Sequence, residues 1–435
     1  MDRPENFLAR VGLGRRELRA WAMYDWANSA FTTTVITAIF PVYFTSVAGV
    51  DLPPGEATRL LARTTTIALA ITALLAPFLG VLADQTPIKK RLLGVFAAIG
   101  CVAAGCLSLV HSGDWLLASV LFGIGNIGFA ASLTFYDSLL PHIARGEEMN
   151  RVSTAGYALG YLGGGLLLAV NVAWILTPET FGLRDAGQAS RLSFLSVAVW
   201  WGLFSLPLFR RVGEPPVRAT ARARSAIDLA RAAFGDLLRT LRDLRRYKHA
   251  FLLLVAFVIY SDGIGTIIRM ATSYGTDLGL DQSALIKAIL LVQFAGIPFA
   301  FLFGLLAGRI GAKASIFIAL GVYTAITVMG YYMKTERDFY ILALMVAVVQ
   351  GGSQALSRSL FASMIPRQRS SEFFGFFSIF EKFGAIAGPA AFEVASRATG
   401  SSRSAILSVM VFFIAGAVVL AFVDVKEGQR TVNHH

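Results

Sequence analysis

The sequence has few charged residues for its length. Asp, Glu, Lys and Arg make up 15% of the 435 residues, whereas hydrophobic residues make up 55%. The mean hydropathy is +0.63. A soluble chain of this size needs more surface charge, so the composition excludes two or three ordinary soluble domains. Lipid is instead the expected solvent for most side chains.

Side chains that bind metals or act as nucleophiles are also scarce. The chain has 2 cysteines and 5 histidines. Both cysteines, Cys101 and Cys106, lie in one apolar run, where they are interpreted as small buried residues. The sequence offers no nucleophile–base pair, metal-ligand spacing or cofactor motif. We therefore expect no enzymatic activity, no cofactor and no metal site.

Acidic residues are outnumbered by basic ones, 27 to 39, which gives a net charge of +12. Such a charge could suit nucleic acid. The basic residues, however, sit in short segments between apolar runs, where they orient helices and meet anionic headgroups. We expect membrane lipids rather than nucleic acid around the protein, and a monomer.

Twelve apolar runs are long enough to cross a bilayer as helices, which requires roughly 20 residues each. The runs are 21–46, 64–84, 91–110, 115–140, 152–176, 191–209, 250–274, 284–308, 313–333, 339–362, 373–395 and 404–425. They are continuous rather than alternating, which excludes a transmembrane barrel. The sequence predicts an all-α membrane protein with twelve transmembrane helices.

The basic residues also predict the orientation. With the N-terminus in the cytoplasm, the inside segments hold far more Lys and Arg than the outside loops. This bias predicts that both termini are cytoplasmic. The expected location is a bacterial inner membrane.

A different stretch, 210–249, separates the sixth run from the seventh. It begins with the turn sequence GEPP and continues rich in Arg and Ala, with apolar residues at helical spacing from Ile227. The pattern predicts a basic amphipathic helix on the cytoplasmic membrane surface, or a solvated helix packed on the loops. The linker leaves an N-terminal six-helix bundle, 1–209, and a C-terminal six-helix bundle, 250–435.

An internal repeat supports this division. GVLADQTPIKK runs from Gly80 to Lys90 after the second apolar run, and GLLAGRIGAK runs from Gly304 to Lys313 after the eighth. Each segment has a glycine, three residues, a turn and then cations. Parallel repeats of six spans are a known transporter architecture.

The first of these segments resembles the signature loop of the major facilitator superfamily. That loop has Gly, three residues, Asp, Arg, any residue, Gly, any residue and two cations. Asp84, Lys89 and Lys90 match it, whereas Gln85 and Pro87 depart from its Arg and Gly. The resemblance implies two pseudo-symmetric six-helix bundles.

Three further motifs resemble the vacuolar amino-acid effluxer-like, autophagy-related family within that superfamily. They are YDWANSAF at 24–31, GGSQALSRSLF at 351–361 and FFGFFSIFEKFGAIAGP at 373–389. The resemblance implies a permease that exports a small-molecule substrate, an amino acid or a related metabolite, by alternating access. A lipid or lysolipid flippase and a non-transporting receptor or scaffold are the alternatives on the same fold.

Carboxylates inside the spans are the candidates for proton coupling, because charge is costly in a bilayer. Asp262 lies midway along the seventh run beside Gly263 and Gly265, which predicts a loosened helix around a proton carrier. Alternatively, Asp262 is a structural partner of Lys287 or Arg269.

Glu381 and Asp25 are the other two proton-coupling candidates. Glu381 is followed by Lys382 near the centre of the eleventh run, and Asp25 lies one or two turns into the first. Asp25 could form a cytoplasmic gate or contact substrate, or it could be a structural cap. Because neighbouring residues point about 100° apart on a helix, Glu381 and Lys382 cannot simply neutralise each other.

A polar row with a spacing of four follows one face of the tenth run and ends at Arg358. Arg358 could extend to the membrane surface, pair with Asp25 across a closed gate, or bind a substrate carboxylate. The candidates for the substrate cavity are Tyr24, Asn28, Asn126, Arg269, Gln350, Gln354, Arg358 and Lys382.

Asp84 lies at a helix end beside a turn, so we expect it to hold the two halves together rather than to bind substrate. The residues predicted to form this gate or latch are Gly80, Asp84, Lys89, Lys90, Asp137, Gly304, Arg309 and Glu372.

Overall fold

The computed structural model describes residues 7–53, 56–216, 247–277, 282–384, 387–400 and 402–433. The described residues form helices and connecting turns, with no strand among them. The amphipathic helix predicted for the linker falls on 217–246 and lies outside the described residues.

We number the helices of the twelve predicted spans α1 to α12. The first six are α1 (Arg16–Ala48), α2 (Glu56–Gln85), α3 (Lys89–Cys106), α4 (Trp115–Ile143), α5 (Glu147–Leu176) and α6 (Ala186–Arg211). The next four are α7 (Lys248–Asp277), α8 (Gln282–Ile310), α9 (Ala312–Tyr332) and α10 (Glu336–Ser363). The last two each have two parts: α11a (Ser370–Gly384) and α11b (Ala387–Thr399), then α12a (Ser402–Ser408) and α12b (Met410–Ala421).

Among the described residues, 11 helices are long and apolar enough to cross a membrane. The other predicted run, 373–395, is divided between α11a and α11b, so neither part qualifies alone. Short helices precede and follow the spans at Phe7–Arg10 and Val425–Asn433. The all-α membrane fold predicted from the sequence is confirmed, and twelve spans are consistent with it.

The two halves meet mainly along two helix pairs, α2 with α11a and α5 with α8. They also meet where α10 contacts α5 and where α11a contacts α4. Glycines allow the backbones to approach closely. A methyl group added at Gly80 would overlap the backbone of Ser371, and one added at Gly304 would overlap the side chain of Thr154. Gly80 and Gly304, which begin the two repeat segments, therefore each lie where a helix of one half packs closely against a helix of the other.

The cations of the repeat segments also make equivalent contacts. The Lys90 ammonium, at the start of α3, donates to the carbonyl oxygens of Phe209 (3.1 Å) and Val212 at the end of α6. The Lys313 ammonium, at the start of α9, donates to Ala421 (2.9 Å) and Val423 (2.7 Å) at the end of α12b. Each lysine caps carbonyls that the helix itself leaves unpaired.

Candidate functional site

Arg358 is the centre of a buried polar cluster between the halves. The residue is 4% exposed on α10 of the C-terminal half. Its Nη2 donates to Asp25 Oδ2 of α1 at 3.2 Å, and its Nη1 donates to Asp137 Oδ1 of α4 at 3.0 Å. Its Nε donates to Ser153 Oγ of α5 at 2.9 Å. One planar guanidinium thus binds three helices of the other half, which a lysine could not do with the same geometry.

Aromatic rings surround the same guanidinium. Its carbon lies 4.7 Å from the ring centroid of Tyr157, 4.9 Å from Trp21 and 5.6 Å from Tyr136. The Tyr136 hydroxyl also donates to Asp25 Oδ2 at 2.9 Å. Cation–π contacts add to the ionic ones where water is excluded. We call Arg358, Asp25, Asp137, Tyr136 and Ser153 the Arg358 cluster.

The polar row of α10 continues away from this cluster. Gln354 and Gln350 lie one and two turns further along the helix and are partly exposed, whereas Gly351, Gly352 and Ser353 beside them are buried. Residues spaced by four lie on one face of a helix. The structure therefore places Gln350, Gln354 and Arg358 on one face.

The contact around Asp84 lies at the end of the bundle where α2 ends, which we call the Asp84 end. The Asp84 carboxylate accepts hydrogen bonds from the backbone N–H groups of Ser371 (3.2 Å) and Glu372 (2.9 Å), in the first turn of α11a. Lys89 lies 3.0 Å from Asp84 and donates to Ser370 Oγ at 2.9 Å. A carboxylate at a helix N-terminus is favoured by the unpaired amides and the helix dipole. We call Asp84, Lys89 and Ser370 to Glu372 the latch.

Four residues predicted for the latch lie elsewhere or act differently. Lys90 caps the end of α6 within its own half and does not join the halves. Asp137 accepts a hydrogen bond from Arg358 Nη1 of α10 at 3.0 Å and so belongs to the Arg358 cluster. The side chain of Glu372 accepts from Arg369 Nε at 2.9 Å, and only its backbone reaches Asp84. Arg309 is exposed, whereas Lys89 is buried beside Asp84. Within the described part of the chain, Arg309 therefore does not form a buried ion pair of the kind that Lys89 forms.

Asp262 makes a contact that the sequence did not predict. It is buried, and its Oδ2 accepts a hydrogen bond from the backbone N–H of Gly388 at 2.6 Å, in the first turn of α11b. Lys287 is exposed and so is not a buried ionic partner of Asp262. The loosened helix expected at Gly263 is wrong: α7 is continuous there, and Gly263 instead packs against Phe413.

Tyr24, Asn28 and Asn126 are buried within the N-terminal half. The Tyr24 ring packs on Tyr136 with centroids 4.9 Å apart. Asn126 donates to the Phe122 carbonyl of its own helix at 2.8 Å. Tyr24 thus packs against Tyr136, a member of the Arg358 cluster. The side-chain amide of Asn126 is bonded within its own helix.

Glu381, Lys382 and Arg269 lie on helices whose course is described, but their side chains lie outside the described residues.

Some residues of the site were missed by sequence reasoning. Ser153, Tyr136 and Ser370 are ordinary helix residues in an apolar or small-residue context. These residues matter because their helices lie next to one another in the fold. The spacing of residues along one helix does not predict that arrangement. Trp21 and Tyr136 form a stacked pair with centroids 4.4 Å apart.

Comparison with known proteins identifies the family. The family model described as "Vacuole effluxer Atg22 like" matches residues 57–433. The chain belongs to this family. The MFS-type transporter YxiO of Bacillus subtilis strain 168 is 38% identical over 410 residues, which cover 94% of this chain and 95% of that protein. Autophagy-related protein 22-1 of Penicillium rubens is 22% identical, over 96% of this chain and 91% of that protein.

Solved structures show the same fold at low sequence identity. The human organic anion transporter MFSD10 has a TM-score of 0.73 at 14% identity, covering 93% of this chain and 99% of that one. The major facilitator transporter FucP in the outward conformation has a TM-score of 0.69 at 13% identity, covering 95% of this chain and 99% of that one. The major facilitator fold expected from the signature loop is confirmed, and the chain is a multi-pass membrane transporter of this superfamily.

Proposed function

We propose that this Atg22-like transporter moves a small solute, an amino acid or a related metabolite, by alternating access with proton-coupled efflux. The observation that carries the proposal is the Arg358 cluster. It is a buried ionic contact between the two halves of a membrane bundle. Charges are costly in this environment, so their presence favours a role in transport over a purely architectural one.

The Arg358 cluster and the latch together support alternating access. Both join the N-terminal half to the C-terminal half at or near the Asp84 end. A transporter that exposes its substrate site to each side in turn must break such contacts during the cycle. If the Asp84 end is cytoplasmic, as the basic residues predict, this arrangement is closed to the cytoplasm.

Asp25 is the carboxylate that best connects proton binding to this movement. Its Oδ2 accepts from both Arg358 and Tyr136. A protonated carboxyl group loses its charge and attracts a guanidinium only weakly. Protonation of Asp25 would thus weaken the contact between the halves and free Arg358 to bind a substrate carboxylate.

The polar row of α10 supports a polar substrate. Partly exposed Gln354 and Gln350 continue from Arg358 on one helix face. Amide groups there could donate to and accept from a small polar solute as it approaches the guanidinium. A lysolipid would instead require an apolar path, which this row does not provide.

A thermal-shift screen of the purified protein tests the substrate class, because a ligand that binds only the folded state raises the melting temperature by mass action. We expect stabilisation by one or more amino acids or related metabolites. Stabilisation by lysolipids alone would favour the flippase.

Proton coupling is tested in proteoliposomes with an imposed pH difference. We expect Asp25→Asn to abolish accumulation against a gradient while substrate exchange survives, because exchange needs no net proton release. The control is Asp51→Asn, which alters an exposed carboxylate between α1 and α2. Normal accumulation by Asp25→Asn would remove Asp25 from the coupling mechanism.

A further inference from the structure

A narrow surface cleft lies at the contact between α5 and α8 near the Asp84 end. The N-terminal half contributes Arg10, Arg151 and Thr154 to its lining, and the C-terminal half contributes Gly304 and Leu305. The cleft therefore spans the boundary between the halves. It is separate from both the Arg358 cluster and the latch.

Two arginines line this cleft without a protein counter-ion. Among the described residues, no carboxylate oxygen lies within 4.0 Å of the guanidinium of Arg10 or Arg151. The Nε of Arg151 is buried and has no hydrogen-bond partner there. Buried N–H donors of charged groups are normally satisfied, so this one points to a missing acceptor.

The carboxylates nearest along the chain do not supply that acceptor. Glu148 binds Arg15, with 2.7 Å between Oε2 and Nη2. Glu147, four residues before Arg151 on the same face of α5, is exposed and forms no ion pair with it within the described part of the chain. No acceptor for this N–H lies among the described residues, so an anion bound in the cleft would fill that role.

The surroundings of the cleft match a lipid better than a soluble anion. Leu305, in the cleft wall, is 42% exposed, and Leu302, one turn before it on α8, is 53% exposed. These side chains form an apolar strip that runs from the cleft along a membrane-crossing helix. Cations at helix ends lie at the level of the headgroups, where anionic lipid collects.

We propose that this cleft binds the phosphate of an anionic phospholipid, with Arg10 and Arg151 on the phosphate and an acyl chain along Leu305 and Leu302. Arginine suits this ligand because its fork of donors matches phosphate oxygens.

A lipid in this position contacts both halves at once. It therefore favours the arrangement in which α5 and α8 are in contact near the Asp84 end, since a ligand shifts an equilibrium toward the state that it binds better. This effect on the conformational equilibrium rests on the proposed transport cycle, whereas lipid binding does not.

Native mass spectrometry of the purified full chain, titrated with phosphatidylglycerol, tests the site. We expect specific retention of phosphatidylglycerol and much weaker retention of phosphatidylcholine. Arg10→Gln and Arg151→Gln should each lower the apparent affinity about fivefold, the usual contribution of one basic residue at an anionic membrane surface. Arg91→Gln, which removes an exposed arginine of the same end outside the cleft, is the matched control.

Three outcomes would overturn the proposal. Unchanged phosphatidylglycerol binding by a variant that carries both Arg10→Gln and Arg151→Gln, or an equal loss in Arg91→Gln, would mean that general surface charge holds the lipid. Retention of inorganic phosphate as strong as that of phosphatidylglycerol would mean that the cleft binds a soluble anion rather than a lipid. Arg10 is exposed, so Arg10→Gln keeps the test valid even if Arg151→Gln reduces folding.

Discussion

At the scale of single residues, the geometry of one guanidinium determines how the halves are joined. Arg358 uses separate nitrogens for Asp25, Asp137 and Ser153. Removing it leaves two carboxylates that were desolvated around a cation. The loss of one partner of a buried ion pair typically costs about 3–5 kcal/mol, because the other partner stays buried and uncompensated.

We therefore expect Arg358→Gln to lower the unfolding free energy by about 3–5 kcal/mol. Adding Asp25→Asn should recover part of the loss, since one uncompensated charge is then removed. Thermal unfolding of the two single variants and the double variant gives the coupling energy. Strict additivity of the two changes would show that the pair contributes no coupling to stability.

Asp262 gives a second residue-scale prediction. Its bond to the Gly388 amide caps the start of α11b, so Asp262→Ala should cost about 1 kcal/mol of stability. Asp262→Asn retains a side-chain oxygen acceptor and should cost less. Melting temperatures check both values. If Asp262→Asn is stable but loses proton-driven accumulation, Asp262 carries the proton as well as capping the helix.

The sequence predicts some residue contacts and not others for a physical reason. Asp25 and Arg358 could be proposed as partners because both are charged positions in apolar runs, and the structure places them 3.2 Å apart. The contact of Asp262 with Gly388 could not be predicted. Every residue except proline carries a backbone N–H, so a bond to one leaves no signal in the residue types.

At the scale of elements, glycines set the distance between the halves. A methyl carbon added at Gly80 would lie 2.7 Å from the carbonyl carbon of Ser371 and 2.9 Å from the Cα of Glu372. These are backbone atoms of α11a and cannot rotate away. Gly202 in α6 has no atom within 4 Å of the same position.

The two glycines should thus respond in opposite directions to alanine. Gly202→Ala should stabilise the protein by roughly 0.5–1 kcal/mol, the usual helix preference for alanine over glycine. Gly80→Ala should destabilise it and push α2 away from α11a. Thermal unfolding measures both changes. A gain of stability in Gly80→Ala would mean that the contact is looser than described.

The helix at Val425–Asn433 is an element that the twelve apolar runs do not predict, because it is too polar to cross a membrane. A short sequence pattern nevertheless indicates where this helix begins. Asp424 is followed three residues later by Glu427, a spacing that resembles a capping box. In the structure Asp424 Oδ1 accepts from the Glu427 backbone N–H at 3.0 Å. Gln429 then donates to Ser363 at the end of α10, at 3.1 Å.

At the scale of the whole molecule, the repeat in the sequence corresponds to two similar helix bundles. In each bundle a lysine caps the carbonyl end of the sixth helix. Lys90 and Lys313 each tie the third helix of a half to the end of its sixth. The fold was predictable because lipid imposes long apolar runs. The contacts between halves depend on the conformation adopted, which composition and periodicity do not encode.

The latch leads to the prediction that concerns the whole molecule. Asp84 accepts two backbone amides of α11a and lies 3.0 Å from Lys89. Hydrogen bonds to a charged group are worth about 1.5–3 kcal/mol, and every 1.4 kcal/mol changes a population ratio about tenfold. Asp84→Asn keeps the shape of the side chain but removes the charge and one acceptor. It should therefore shift the equilibrium toward separation of the halves at the Asp84 end by about tenfold or more.

Spin labels at Arg145 and Lys426, exposed positions in opposite halves at that end, measure the shift directly. We expect a longer-distance population to grow in Asp84→Asn, with slower transport and nearly unchanged substrate affinity, because a latch biases conformations without touching substrate. Glu147→Gln, an exposed carboxylate at the same end, is the control. A large loss of affinity with an unchanged distance distribution would place Asp84 in the substrate site instead.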